Sequence, residues 1–406
     1  MARRWPGGGP GLRRRYRVHV PATRPPSPGV AWFGEVEATG VVEVVDVRRQ
    51  PERLREPGWW AVVGDFEGTV RAWRFADVDR RSPRHQHPWT GPSSEAWASS
   101  LDEAAYVTAV EDVRAAVAEG DVYQANLCRV LAAPLPPDAD GGEPDARALA
   151  QVLEAGNPAP YAGGVHVPGG ADDGVWVVSA SPELFLRVDG DVVTSAPIKG
   201  TAATSDGLTA KDRAENVMIT DLVRNDLQRV CVPGTVEVTT LLGEEVHPGL
   251  VHLVSTVQGT LAPDVAGAAD LWGRLLDATY PPGSVSGAPK LSALDLIDRL
   301  EPTPRGPYCG AVGWVEVGAD GTLRAELAVG IRTFWWRDGV LRFGTGAGIT
   351  WGSDAAAEWA ETELKAARLV ALASEHPATG AMGAPGVTSA TGEPGTARTT
   401  PPTDPA

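Results

Sequence analysis

Apolar residues follow two rhythms along this chain. Between Ala31 and Asp79 they come in short runs, among them Trp59-Trp60-Ala61-Val62-Val63 and Thr69-Val70-Arg71-Ala72-Trp73. Runs of that length bounded by turn residues predict strands. Val175–Ser179 is another such run. Phe185–Val188 and Val192–Ser195 flank Asp189-Gly190-Asp191, which predicts a hairpin, and Asp320-Gly321 and Asp338-Gly339 give the same signal. The other rhythm is helical. It runs from Asp102, placed to cap a helix, to Ala118, and again over Lys211–Val230 and Ser353–Leu372, the last capped by Ser353 or Asp354. Residues 80–98 and 134–147 read as loops. Strands and helices come in groups rather than in strict alternation, which favours an α+β fold over a doubly wound parallel sheet. No internal repeat is present.

Composition sets the outer limits. The chain has 406 residues, 43% of them hydrophobic, enough for one large domain or for two to three ordinary ones. A net charge of −16 argues against nucleic acid as a partner of the bulk of the protein. The exception is residues 1–30, rich in Gly, Pro and Arg, with Arg3, Arg4, Arg13, Arg14, Arg15 and Arg17. That segment reads as a disordered arm, with a nucleic-acid or targeting arm as the other reading. No apolar stretch follows it as in a secretory signal, and no run of about 18 apolar residues predicts a membrane span. Cys128, Cys231 and Cys309 form neither a disulfide framework nor a zinc spacing and suit reduced thiols in a cytoplasmic protein. His85-Gln86-His87 lies in a polar stretch and reads as surface loop. Residues 31–98 form a strand-rich N-terminal part, 99–373 a second region, densest from about residue 160, that carries the chemistry below, and 374–406 a tail of Ala, Thr, Gly and Pro with almost nothing to bury.

Three constellations carry chemistry. Asp212 and Glu215 are three apart in one predicted helix, Glu358 and Glu361 in another, so each pair shares a helix face. Should those helices pack together, the carboxylates would converge, and oxygen-only donors suit Mg²⁺. The other reading is ordinary surface pairing, with Glu361 and Lys365 as an i,i+4 ion pair. Gly344-Thr345-Gly346-Ala347-Gly348-Ile349 follows a strand and precedes a capped helix. It is either an anion site or a tight connection. Its glycines do not fit G-x-G-x-x-G, and Gly283 to Lys290 lacks P-loop spacing, which excludes dinucleotide binding and nucleotide hydrolysis; no G-x-S-x-G elbow occurs. Lys199, after a strand and before Gly200, is either a surface residue or an amine that burial makes nucleophilic. Glu183, 16 residues earlier across the hairpin, is placed to act as an acid or base beside it.

Taken in order, these segments resemble the chorismate-utilising enzymes, a family that includes anthranilate, aminodeoxychorismate, isochorismate and salicylate synthases. The resemblance rests on Asp121 to Leu127, Ser179 to Glu183, Pro197-Ile198-Lys199-Gly200-Thr201, Lys211 to Asn216, Asp221 to Asp226 and His252 to Thr256. It continues through Gly283 to Lys290, Tyr308 to Gly313, Ile331-Arg332-Thr333, Gly346 to Ile349 and Glu358 to Glu361, and covers roughly residues 100–373. It implies one large domain of two packed, mainly antiparallel sheets with helices outside. It implies that Glu215 and Glu361 bind Mg²⁺ directly, with Asp212 and Glu358 acting through water. Arg332, Tyr308 and the backbone of Gly346, Ala347 and Gly348 would hold substrate carboxylates. Gln124, Thr201, Ser284 and Lys365 would be further substrate contacts, His252 would stand beside the leaving hydroxyl, and Glu183 would be the acid or base.

Two positions divide the family. The resemblance implies lysine at position 124 in the water-adding branch; this chain has Gln124. At position 199 anthranilate synthases carry alanine and aminodeoxychorismate synthases carry lysine, as here. The resemblance therefore implies the aminase component of an aminodeoxychorismate synthase, taking ammonia from a separate glutamine amidotransferase subunit. Its product would need a separate lyase to become 4-aminobenzoate, the folate precursor. Anthranilate synthase component I is the alternative within the family. A non-catalytic chorismate-binding or regulatory subunit is the alternative outside it, motivated by a short N-terminal part that does not match the family. Glu326 stands where Asp or Asn is usual.

Overall fold

In a computed structural model, residues 16–17, 26–80, 88–137, 141–169, 174–202, 204–247 and 250–374 are described. The basic arm (apart from Tyr16–Arg17 and residues from 26 onward), His85-Gln86-His87 and the tail beyond residue 374 lie outside them. Every strand pairing among the described residues is antiparallel, both in turn-linked hairpins and between strands far apart in sequence. One half of the sheet runs Gln124–Pro134, Val340–Ile349, Thr333–Arg337, Val175–Ser181, Tyr161–Val167, Ser27–Phe33 and Val36–Asp46. The long strands Val36–Asp46 and Val70–Asp79 then carry it into the other half. That half runs Gly58–Gly64, Ala311–Val317, Leu323–Val329, Leu184–Asp189, Val192–Ala196, Leu250–Thr260 and Glu237–His247. The fold is α+β, as expected, and its two packed sheets are continuous with each other.

The halves face each other across one apolar core. Val165, Val167 and Val177 of the first half join Trp60, Val62, Val312 and Val315 of the second, and the rings of Phe33 and Trp59 meet at 6.2 Å. The strands from residues 27–79 are interleaved with those of the later region rather than set apart, since Ser27–Phe33 pairs with Tyr161–Val167 and Gly58–Gly64 with Ala311–Val317.

The helices among the described residues are α1 (Glu103–Glu119), α2 (Ala146–Gly156), α3 (Ala210–Gln228), α4 (Pro263–Ala266), α5 (Leu271–Thr279), α6 (Lys290–Leu300) and α7 (Ala355–Ala373). Their starts follow the sequence signals. Asp102 caps α1 through Ala105 N–H at 2.8 Å, and Asp354 caps α7 through Ala357 N–H at 2.9 Å. Asp338 and Gly339 both take positive φ, 54° and 74°, the backbone of the two-residue hairpin their sequence predicts.

One expectation is corrected. The glycine run is not a strand-to-helix connection; it is strand, paired as far as Ile349 with Ala125. The long partner Gln124–Pro134 extends the ladder through it, and the turn comes only at residues 350–353.

Phe334 ties this half together. It is fully buried, stacks on Phe343 at 4.7 Å and lies two residues beyond Arg332. Phe334→Ala is expected to cost about 3–5 kcal/mol, read as a lowered urea midpoint with an unchanged slope.

Candidate active site

Lys199 is placed by a bulge. In the strand Ile198–Ala202, Ile198 pairs with Val254 and Thr201 with His252, so three steps on one strand face two on its neighbour. Bulges re-aim side chains. Gly200 takes φ +87°, and a Cβ there would come within 2.8 Å of the Asp212 Cβ. Only glycine lets the bulge and the first turn of α3 lie this close. The ammonium of Lys199 emerges over the glycine strand, 3.4 Å from where a Cβ on Gly348 would stand. It has no hydrogen bond or ion pair among the described residues. Burial lowers its pKa; Lys365 adds to that, while Glu215, Glu183 and Glu361 oppose it.

Glu183 is fixed from both sides. Its backbone N–H donates to Ser181 Oγ at 3.2 Å, and its carbonyl accepts from Val329 N–H at 3.0 Å. Its carboxylate accepts from Ser284 Oγ and from Ile198 N–H. Burial pushes its pKa up to about 7, against the pull of Ser284, Lys199 and Ile198. Behind Glu183 and Ser284 lies a small cavity, lined also by Pro197, Val223 and Leu227.

The glycine strand offers its free edge to this space. Cys128 N–H donates to Glu301 and Asn126 N–H to Ser286 O, so both point away from their partners Gly346 and Gly348. In an antiparallel ladder the facing residues then point away as well. Lys365 Nζ confirms this by donating to Gly346 O at 3.0 Å. The N–H groups of Gly346 and Gly348 therefore face outward on either side of Ala347, which itself packs inward. The anion-binding potential read from the glycines survives, carried by a strand edge instead of a helix terminus. A Cβ on Gly348 would lie 2.6 Å from Gln124 Nε2. Gln124 is 1% exposed, and neither its Nε2 nor its Oε1 has a hydrogen-bond partner. Buried amides are ordinarily satisfied, so this one is aimed at something the protein alone does not supply.

Arg332 is a further charged group at the site with no protein partner among the described residues. It takes φ +52°, and its guanidinium has no hydrogen bond or ion pair among the described residues. Burial alone lowers its pKa. A desolvated guanidinium is matched to a carboxylate. Tyr308 is placed differently from its expected role as a carboxylate contact. Its ring lies against Gly344, and its hydroxyl is 3.9 Å from Cys128 Sγ. His252 is buried opposite Thr201 in the strand pair.

The carboxylates come from α3 and α7. Glu215 is largely buried and Glu358 is 4% exposed, and Lys211 stands between them, 3.7 Å from Glu215 Oε1 and 3.3 Å from Glu358 Oε1. Burial raises the Glu215 pKa, and Glu358 and Asp212 raise it further, against Lys199 and Lys211. Glu361 leans to Lys365 at 2.6 Å. Burial would raise its pKa, yet Lys365, Lys211 and Lys199 bring it below the ordinary value. Asp212 is engaged elsewhere, accepting from Thr209 N–H at 2.8 Å in a capping box that starts α3. Among the described residues no group of three or more His, Cys, Asp or Glu is gathered closely enough to hold a metal ion. The donor chemistry nevertheless suits a hard divalent cation: these are carboxylate oxygens only, and Glu215 Oε1 is buried with no hydrogen-bond partner.

Sequence reasoning missed Lys211 as the internal counter-charge, although its place four residues before Glu215 signals an ion pair. It also missed the network in which Arg305 donates to Glu301 at 2.6 Å and to Asn126 O, behind the glycine strand. Glu326 pairs with Arg187 at 2.6 Å.

A strand edge with outward N–H groups, an unpaired arginine and a desolvated lysine beside acids define a site for a small polyanionic substrate. The sequence profile of the family described as chorismate binding enzyme matches residues 65–371, and the chain belongs to that family. It is 38% identical over 284 residues to anthranilate synthase component 1 of Streptomyces coelicolor, covering 66% of this chain and 51% of that protein. It is 35% identical over 329 residues to aminodeoxychorismate synthase component 1 of Salmonella typhimurium, covering 77% of this chain and 68% of that protein. The chain thus matches about half of the first of these relatives and about two thirds of the second. Its fold is that of anthranilate synthase component I from Streptococcus pneumoniae, with TM-score 0.65 and 22% identity over 91% of this chain and 94% of that one. The menaquinone-specific isochorismate synthase from Escherichia coli superposes with TM-score 0.65 and 18% identity, covering 89% and 94%. No helix among the described residues is long and apolar enough to cross a membrane.

The raised pKa of Glu183 has a stability consequence. A carboxyl group whose folded pKa lies above its unfolded value contributes stability below the unfolded pKa and loses it as pH rises through the folded one. From about 4.5 to about 7, wild type should therefore lose on the order of 2–3 kcal/mol relative to Glu183→Gln. Urea unfolding of both proteins at pH 5 and pH 8 measures this. Equal pH dependence of the two would mean Glu183 is ionised throughout.

Proposed function

We propose that this protein is the aminase component of an aminodeoxychorismate synthase, converting chorismate and ammonia to 4-amino-4-deoxychorismate. The observation that carries this reading is Lys199, an unpaired amine in a bulge, its pKa lowered by burial, beside Gln124 and the open edge of the glycine strand.

In this reading Arg332 and the N–H groups of Gly346 and Gly348 receive the substrate carboxylates, with Lys365, Gln124, Ser284, Thr201 and Tyr308 completing or supporting the pocket. Lys199, as the neutral amine, attacks C2 of the ring; both ring double bonds shift toward C4, the C4–O bond breaks, and the new C2–N group gives up one proton. Glu183, protonated over much of the neutral range, is the acid for the departing oxygen, with His252 beside it. Ammonia then adds at C4, both double bonds shift back, and the C2–N bond breaks, the lysine nitrogen regaining a proton as the new C4 amine loses one. Two allylic displacements replace one difficult substitution at C4. Glu215 and Glu361, with Glu358 and Asp212, would hold Mg²⁺, which when bound supplies Lewis-acid assistance at the substrate. Ammonia would come from a glutamine amidotransferase subunit. The similarity to anthranilate synthase components, at 38% identity, keeps anthranilate formation as the second reading; Lys199 in place of alanine favours the first.

Incubation with chorismate, Mg²⁺ and ammonium, followed by an aminodeoxychorismate lyase, is expected to give 4-aminobenzoate; anthranilate as product would refute the assignment. Lys199→Ala should lower the rate by at least 100-fold, about 2.7 kcal/mol in barrier, whereas an unchanged rate would make the lysine a bystander. Glu215→Gln should raise the Mg²⁺ concentration needed for half-maximal rate at least tenfold. An unshifted titration would remove Glu215 from the metal site.

A further inference from the structure

The strand Gln124–Pro134 has the glycine strand along one edge. Its other edge is closed in pieces. Gly287 and Ala288 pair with Ala125 and Gln124 at one end, and Ala98 and Ser99 with Ala132 and Leu131 further on. Between these partners the edge is closed by one ion pair. Glu301, just after α6, accepts from Cys128 N–H at 2.8 Å, and Arg305 Nη2 donates to Asn126 O at 2.6 Å. The pair itself is two-pronged: Arg305 Nε donates to Glu301 Oε2 at 2.7 Å and Nη2 to Oε1 at 2.6 Å. Nη1 points elsewhere and donates to Val285 O at 2.9 Å. The guanidinium lies over the Phe66 ring at 4.1 Å, and the side chains of Arg305 and Glu301 are 1% and 6% exposed.

Val285 follows Ser284, whose hydroxyl donates to the Glu183 carboxylate. The turn that carries both residues is held from two sides. On one side Gly283 lies so close to α3 that a Cβ would come within 2.6 Å of the Leu222 Cδ2. On the other, Arg305 ties Val285 O to Asn126 O, the strand residue paired with Gly348. One guanidinium thus links the Ser284 turn to the strand that begins at Gln124. A buried ion pair adds little net stability over well-packed apolar side chains, because both charges have to be desolvated. What this pair supplies is direction. A planar guanidinium fixes its donors relative to one another, and a lysine ammonium does not. Without it, two buried carbonyls lose a donor and the turn is free to withdraw from the strand.

We propose that Arg305 is a positioning residue for the amination step: by joining Val285 O to Asn126 O it holds Ser284 Oγ on the carboxylate of Glu183. Arg305 acts through Ser284 and not on the substrate. Its bearing on catalysis rests on the proposed function, in which Glu183 is the acid. Lys199 faces Glu183 from the neighbouring strand, and Asp226 of α3, paired with Lys290 at 2.8 Å, lines the same cavity. These charges stay in place when Arg305 is changed. The Ser284 hydrogen bond favours the ionised form of Glu183, so withdrawing it moves the Glu183 titration upward.

Three variants of the full chain test this. Arg305→Lys keeps the charge and loses the fork. Arg305→Met with Glu301→Gln leaves no buried ion unpaired, and the glutamine still accepts from Cys128 N–H; this double variant decides if Arg305→Lys does not fold. Ser284→Ala removes the far end directly. The first readout is kcat/KM for chorismate from pH 6 to pH 9, with Mg²⁺ and a constant concentration of unprotonated ammonia. The rate falls as pH rises through the pKa of an acid, and that falling limb should move to higher pH by at least about half a unit in all three variants. Adding Ser284→Ala to either Arg305 variant should move it no further than Ser284→Ala alone. The second readout needs no turnover. The urea midpoint should fall more steeply between pH 5 and pH 8 in each variant than in wild type, and Glu183→Gln should abolish the difference. A limb that stays with wild type while rates and urea midpoints drop makes Arg305 structural only and overturns the proposal. Additive shifts overturn it too, because Arg305 then acts by another route. Failure of wild type to turn over chorismate overturns the functional reading, and the urea slopes still decide whether Arg305 holds Ser284 on Glu183. Unchanged slopes with wild-type turnover intact overturn the positioning role alone.

Discussion

The site depends on keeping an amine in a place that disfavours its charge. Lys199 sits in a sheet bulge with no ion pair among the described residues, and burial lowers its pKa. Full pairing would make it a permanent cation, and full exposure would do the same. The structure avoids both by surrounding it with carboxylates that act at a distance rather than in contact. Glu183 is the complement: a carboxyl group held by Ser284 and Ile198, yet buried enough to titrate near 7. A base with a lowered pKa beside an acid with a raised pKa is an arrangement found where functional proton transfer is tuned.

The remaining charges are organised by two helix starts. Asp212 and Glu358 stand in the first turns of α3 and α7, where the helix dipole favours carboxylates. Glu215 and Glu361 lie one turn further along. Lys211 joins the two helices by reaching both Glu215 and Glu358. This explains how a cluster of like charges is tolerated in the folded protein, and why its members differ. Glu361 is drawn to Lys365 at the surface, while Glu215 stays inside with one oxygen free of hydrogen bonds.

Much of this was legible in the sequence because local rules decided it. Asp102 and Asp354 cap their helices, and Asp338-Gly339 turns its hairpin, because those residue types satisfy orphan N–H groups or accept positive φ. The i,i+3 carboxylates share faces because helical spacing leaves no alternative. What escaped was set by tertiary pairing. Gly344–Ile349 carries a turn-like composition, but the partner strand from Gln124 imposes strand geometry on it. The capping box in which Asp212 accepts from Thr209 was likewise not read from the sequence, because Thr209 lay just outside the predicted helix. The bulge at Lys199 appears only in the register against Val254 and His252, which no single strand reveals. The orphaned amide of Gln124 likewise emerges only once every neighbour is in place.

The central claim is that Lys199 becomes covalently attached to the substrate ring. The most direct measurement is peptide mass spectrometry of the protein after brief incubation with chorismate and Mg²⁺ in the absence of ammonium and glutamine. The account predicts that the Lys199-containing peptide gains the mass of chorismate less one water, and that added ammonium discharges it. An unmodified Lys199 peptide from protein that still aminates chorismate when ammonium is supplied would contradict the account.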